Sequence, residues 1–153
     1  MILSLFFDDF RVGDKFTSRP RKVTREEIYK FADLTGDRNR LHIDMEYARQ
    51  TDFGSTIAHG MLTLSFALGL WYDQNLTRDS IIAFMGINNL KFQAPIYPDD
   101  EIRLDSLVIG KRESQSRTKA GLITFRDQIF NQEDKVALLY ERVLMLKIRP
   151  SVS

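Results

Sequence analysis

The stretch TGDRNRLHID, residues 35–44, gathers two aspartates, an asparagine and one of the chain's two histidines within ten positions. A histidine takes or gives a proton near neutral pH, and a neighbouring carboxylate orients it or shares in activating a water. Asp37 and His42 are the candidates for such a pair, and Asn39 can fix a water or a side chain without titrating. Asp37 and His42 stand five positions apart, so a regular helix would set them on different faces. Only a loop conformation brings them together.

A second group of residues, STIAHGML (55–62), opens a strongly apolar run. With Ser55 or Thr56 as cap, Gly60 falls in the first helical turn, where backbone N–H groups lack intrahelical acceptors and carry the positive end of the dipole. Having no side chain, Gly60 lets a ligand approach that backbone. This is oxyanion-site geometry, suited to a carbonyl on its way to an enolate.

Each of these residues also has a plain structural reading. Asp37 and Asn39 follow Gly36 and are ordinary turn formers, His42 fits a half-buried histidine with satisfied nitrogens, and Gly60 fits a helix-packing glycine. His59 reads as a helix-start residue whose ring bonds to backbone, although its place beside Gly60 keeps it a candidate. A metal site from Asp37, His42, Asp44 and Glu46 has one histidine and no distinctive spacing, so no metal is expected. Arg38, Arg40 and Lys91 are cations that a ligand phosphate would attract, set against the usual solvated role of scattered surface charge.

The elements that must position these residues are read from capping signals and periodicity. Thr24, followed three residues later by Glu27, is a capping box, and Ile28, Phe31 and Ala32 share one face of the helix it opens. Gly36 ends that helix through a left-handed cap. From Asp37 to Thr56 there is no clean period, which predicts mostly loop with one helical turn near residues 46–49; a loop that long in a small domain is usually functional or disordered. From Ile57 to Tyr72 apolar residues cover every face, so this helix must be surrounded by protein. KFTSRPRKV predicts a short extended segment. Four long alternating segments then follow, IIAFMGINNLKFQAPI, DEIRLDSLVI, GLITFRDQIF and KVALLYERVLMLKI, separated by turn-rich residues as in an antiparallel sheet. Helices precede strands, an α+β order, and the strands can enclose the apolar helix only by curling around it. That arrangement, an antiparallel sheet wrapped around a long central helix, is a hot-dog fold.

The bulk properties narrow the function classes. The 153 residues, 43% hydrophobic and 28% charged, suit one domain over residues 1–153. With 22 basic against 21 acidic residues, there is no strong field to draw in nucleic acid or an anionic membrane. The chain has no cysteine, which excludes disulfides and thiolate chemistry and leaves the cytoplasm as the expected location. The N-terminal MILSLFFDDF has no basic leader and runs into Asp8 and Asp9, unlike a secretory signal, and IAHGMLTLSFALGLWY is too short for a membrane span.

These residues together carry a resemblance. YKFADLTGDRNRLHIDMEYA resembles the hydratase-2 motif of the MaoC-like, (R)-specific enoyl-CoA hydratases: an aromatic, a small residue–Gly–Asp–x–Asn–Pro–x–His run, and a later alanine. Tyr29, Thr35, Gly36, Asp37, Asn39, His42 and Ala48 match it. FGSTIAHGML is similar to the family's helix start, and NLKFQAPIYPDDEIRL to its strand, Ala-Pro turn and strand, so the resemblance runs from Phe10 to Ile148. It implies a hot-dog fold, a homodimer or larger homo-oligomer, and reversible addition of water to a trans-2-enoyl thioester of CoA or acyl-carrier protein. It further implies Asp37 and His42 as the catalytic pair, Asn39 positioning them and the Gly60 N–H polarising the thioester carbonyl, with no cofactor. The family's proline after the asparagine is Arg40 here, which removes a dihedral restraint and adds a cation near the site.

Overall fold

The capping box at Thr24 forms as its sequence predicts: Thr24 Oγ1 accepts the Glu27 N–H at 3.2 Å, and the Glu27 carboxylate accepts the Thr24 N–H at 2.9 Å. In the computed structural model, which describes residues 4–150, this opens helix α1 (Arg25–Thr35). The first three residues of the apolar N-terminal stretch, and the last three of the chain, lie outside the described residues. A 3-10 turn at Phe7–Asp9 and two short strands, β1 (Lys15–Thr17) and β2 (Arg21–Lys22), precede α1. After it come α2 (Arg40–Ile43), α3 (Met45–Arg49) and the central helix α4 (Gly60–Tyr72). Four long strands complete the chain: β3 (Ile81–Phe92), β4 (Glu101–Glu113), β5 (Ala120–Phe130) and β6 (Val136–Lys147).

All pairings are antiparallel in the order β1-β4-β5-β6-β3, with β2 also pairing β4. The sheet curls around α4, giving the α+β hot-dog arrangement that the strand pattern predicts. Ile102, Leu104 and Val108 of β4, Phe125 and Ile129 of β5, and Leu138, Tyr140, Leu144 and Leu146 of β6 are all buried. They meet Leu62, Leu64, Ala67, Leu70 and Trp71 of α4 in one core. At its centre the Trp71 ring lies 4.7 Å from Phe125 and 5.5 Å from Phe16, centroid to centroid.

Three expectations need correction. The segment 37–56 is more than half loop and holds the turn expected near 46–49, as α3, but it carries a second short helix, α2, that the pattern does not show; Asn39 and Asp44 cap the two, with Asn39 Oδ1 accepting the Leu41 N–H and Asp44 Oδ1 the Tyr47 N–H, both at 3.0 Å. The central helix starts at Gly60 with His59 at its cap, not at Ile57 behind Ser55 or Thr56. Residues 57 and 58 are held extended by Ile57 N–H to Leu41 O at 3.1 Å and Ala58 N–H to Ile96 O at 2.7 Å. Nor is α4 covered all round: Met61, Ser65, Gly69 and Tyr72 form an exposed stripe, since the sheet of a single chain closes over one side only.

One feature of the core departs from apolar packing. Arg142 on β6 is fully buried, with Nε 2.6 Å from Asp127 Oδ2 on β5, and the Ser106 hydroxyl donates to Asp127 Oδ1 at 2.6 Å. The guanidinium lies against Trp71, 4.3 Å from its ring centre. Burial and the adjacent Asp127 carboxylate push the Tyr140 hydroxyl far above its ordinary value.

Candidate active site

The chain reverses out of α1 at Gly36, whose φ of 78° is the left-handed cap that glycine adopts without strain, and its N–H bonds Ala32 O at 2.9 Å. Asp37 follows immediately. Its N–H is tied to Thr35 Oγ1 at 3.2 Å, and its own Oδ1 accepts the Asn39 N–H at 3.3 Å. Asn39 then starts α2, and His42 sits on that helix.

Two bonds fasten α2 to the segment ahead of α4. Leu41 O accepts the Ile57 N–H, and His42 Nδ1 lies 2.8 Å from Ile57 O. A carbonyl oxygen only accepts, so Nδ1 of His42 carries the hydrogen; in the neutral ring Nε2 is left as a bare lone pair. By the same argument Nε2 of His59 carries a hydrogen, because it lies 2.9 Å from the main-chain oxygen of Asp37. The two imidazoles stack, centroids 3.8 Å apart and planes 29° from parallel, with the Phe31 ring edge-on to His59 at 4.9 Å. Burial lowers the His59 imidazole below its ordinary value.

Asp37, His42, His59 and Gly60 all line one cavity of about 430 Å³. Its apolar walls include Phe53, Met61, Phe92 and Ile96. Gly60 is the first residue of α4, so its N–H precedes any intrahelical acceptor and sits at the helix's positive end. The Phe92 ring packs directly on it: a Cβ at position 60 would lie 2.5 Å from Phe92 Cε1. The cavity wall therefore includes a residue with a carboxylate, a histidine with one unbonded ring nitrogen and the glycine that starts α4. Such a set can activate water and stabilise a developing oxyanion.

Of the sequence-predicted site residues, Asp37, His42 and Gly60 are brought together. Asn39 is not on the cavity wall; its side chain caps α2 and so acts on His42 through the helix that carries it. Arg38 pairs with Asp33 at 2.8 Å, and Arg40 with Asp44 through Nε at 2.9 Å and Nη2 at 2.8 Å, its guanidinium lying over the Tyr47 ring. Arg38, Arg40 and Lys91 do not line the cavity. Arg40 thus ties α2 to α3 where the family pattern has a proline. Asp44 is held below the usual carboxylate range by the Tyr47 N–H and by Arg40.

Sequence reasoning understated His59, whose only signal was its place beside Gly60. Among the described residues, Asp37, His42 and His59 each offer a ligand atom within 4.8 Å of the others. Stacked rings direct their in-plane lone pairs side by side rather than at one point, so the trio is poorly shaped to chelate an ion. It suits proton transfer better.

Comparison with known proteins shows the family of the chain. The family described as MaoC-like domain matches residues 9–126. This chain belongs to that family. The MaoC-like chain is 31% identical over 140 residues to the uncharacterised protein YdeM of Bacillus subtilis, covering 92% of this chain and 97% of that one. It is 33% identical over 120 residues to the (R)-specific enoyl-CoA hydratase of Aeromonas caviae, covering 78% of this chain and 84% of that enzyme. In fold it matches a Mycobacterium tuberculosis protein described as having a double hot-dog fold, with a TM-score of 0.84 at 21% identity. That match covers 98% of this chain and 46% of the mycobacterial one, and it speaks to the fold alone.

Proposed function

We propose that this MaoC-like protein is an (R)-specific enoyl-CoA hydratase and dehydratase that adds water reversibly to a trans-2-enoyl thioester. The observation that carries the reading is that Asp37, His42 and Gly60 line one cavity, with an Asp37 carboxylate oxygen and a His42 ring nitrogen within 4.8 Å of each other. In the hydration direction a water held between Asp37 and His42 loses a proton to Nε2 as its oxygen bonds to the β-carbon. The π electrons move to the thioester oxygen as an enolate, which the Gly60 N–H stabilises. The enolate collapses as the α-carbon takes back the proton that Nε2 accepted from the water, which leaves the 3-hydroxyacyl thioester and the neutral His42 ring; dehydration reverses each step. No metal or redox partner enters this scheme, and the thioester of CoA or of acyl-carrier protein is the substrate's own handle.

A second copy of the chain fits the reading as partner. The open stripe on α4 and the exposed Phe84 and Met85 on edge strand β3 leave apolar surface that a homodimer or larger assembly would cover. No helix among the described residues is long and apolar enough to cross a membrane, and the cysteine-free chain suits the cytoplasm. The reading is tested by following loss of the conjugated double bond of crotonyl-CoA, with matched carrier-protein substrates to separate the two thioester handles. Release of free thiol from a saturated acyl-CoA instead would identify a thioesterase.

A further inference from the structure

We infer that His59 is a positioning residue of this site: a neutral imidazole that ties down the Asp37 backbone and backs the His42 ring. The inference rests on the hydratase reading for its catalytic consequence, but the arrangement has a signature of its own.

His59 is 2% exposed, yet it is wedged between both members of the proposed catalytic pair. One edge donates Nε2–H to the Asp37 main-chain oxygen at 2.9 Å; one face is stacked on His42 at 3.8 Å. Its other ring nitrogen, Nδ1, is buried with no hydrogen-bond partner among the described residues. Protonating Nδ1 would bury an N–H without an acceptor, and would set a second positive charge against His42 whenever that ring holds a proton. Those two costs favour a single state for His59, neutral with the hydrogen on Nε2. The titratable groups that face it are His42 on α2 and Asp37 ahead of it, while α1 presents only the Phe31 ring. The stacked histidines therefore carry opposite tautomers: His42 on Nδ1, His59 on Nε2.

The arrangement meets a requirement of the chemistry. Asp37 stands between a left-handed glycine and the cap of a four-residue helix, on exposed chain whose other bonds, to Thr35 Oγ1 and from the Asn39 N–H, are local and do not tie it to the rest of the site. The His59 bond anchors that chain to the start of α4, the same point that supplies the Gly60 N–H. Carboxylate, base and oxyanion donor are thereby referred to one element. Rigid support of this kind is what converts nearby groups into a productive geometry, and a displacement of about 1 Å can cost about 100-fold in rate.

Two variants separate positioning from packing. His59→Phe keeps an aromatic ring against His42 and removes an unpartnered buried nitrogen, so the fold should be as stable as wild type, but the bond to Asp37 is gone. We expect kcat for crotonyl-CoA hydration to fall about 10- to 100-fold with KM within about twofold. In His59→Gln the side-chain amide reaches the Nε2 position, and kcat should return to within about threefold of wild type. A His59→Phe protein that keeps both its melting temperature and its kcat would overturn the inference, as would a His59→Gln protein that is folded but no better than His59→Phe. Nitrogen-15 spectra of the imidazoles at pH 7.5 supply a readout independent of turnover. Nε2–H on one histidine and Nδ1–H on the other is expected, and Nδ1–H on His59 would overturn the inference. If wild type hydrates no enoyl thioester, the functional reading fails, and the tautomers still decide the placement of His59.

Discussion

The Nδ1–H of His42 donates to the main-chain oxygen of Ile57, across fifteen residues of chain, and this bond both orients the ring and leaves Nε2 as its proton acceptor. The two roles can be pulled apart. His42→Asn keeps a donor near the Nδ1 position but has no Nε2, so hydration should drop by about 10²- to 10⁴-fold while the melting temperature holds. His42→Ala loses the bond as well and should unfold about 1 kcal/mol more easily in urea. Equal stability of the two variants would show that the Ile57 bond contributes little.

Burial of His59 predicts how stability depends on pH. Its imidazole is held below the ordinary 6.5 in the folded protein, chiefly by burial, with His42 acting in the same direction and the Asp37 carbonyl bond opposing. Between the folded and unfolded values the unfolded chain binds more protons, so stability is full above about pH 6.5 and declines as the pH falls through that window. The melting temperature should therefore fall from pH 7.5 to pH 5.5, and fall less in His59→Phe. An identical decline in both proteins would place the acid sensitivity elsewhere.

Gly60→Ala tests the close approach at the head of α4. The new methyl group would meet the tip of the Phe92 ring, which is 55% exposed and free to turn aside, so stability should change by less than about 1 kcal/mol. The displaced ring stays in the cavity, and activity should fall about tenfold. Phe92→Ala in the same chain should recover most of the loss in a double-mutant cycle. Additive effects of the two substitutions would mean that the ring and the helix start act independently.

The buried Arg142–Asp127 pair is a matter of stability rather than chemistry. Asp127→Ala strands a guanidinium that is fully enclosed beneath Trp71, and about 3–5 kcal/mol of unfolding free energy should be lost in urea titrations. Replacing both partners by Leu and Met should restore much of it. A single variant as stable as wild type would show that water or another group reaches Arg142.

Arg40 faces Asp44 and Tyr47, away from the cavity, so it is not expected to select a carboxylated acyl chain. The ratio of rates on a plain and a carboxylated enoyl-CoA should be unchanged in Arg40→Ala. A shift in that ratio would return Arg40 to the substrate path.

The legible parts of the fold are those set by local rules. Thr24, Glu27 and Gly36 bound α1 because caps are satisfied within the helix, and alternation marks β4, β5 and β6 because one face of each is buried in the core. What escaped was decided by contacts distant in sequence or too short to show a period. The four-residue α2 has no visible repeat and only Asn39, as its cap, marks it, whereas α3 is the turn expected near 46–49. Ile57 and Ala58 read as helix but are drawn out by Leu41 and Ile96. Arg142 falls in phase between Tyr140 and Leu144, and Asp127 between Phe125 and Ile129, so the alternation did point both into the core. In the site, the motif picked out Asp37, Asn39 and His42 and the apolar helix start picked out Gly60, whereas the contact of His59 with both members of the pair exists only once α1, α2 and α4 have packed.

In the proposed reaction Asp37 and His42 activate a water against an enoyl thioester. The most direct test is the steady-state hydration of crotonyl-CoA by wild type and by Asp37→Asn, which preserves shape and removes the negative charge. Wild type should turn over, and the variant should lose about 10²- to 10⁴-fold in kcat at unchanged melting temperature. Near-normal hydration by Asp37→Asn would contradict this activation.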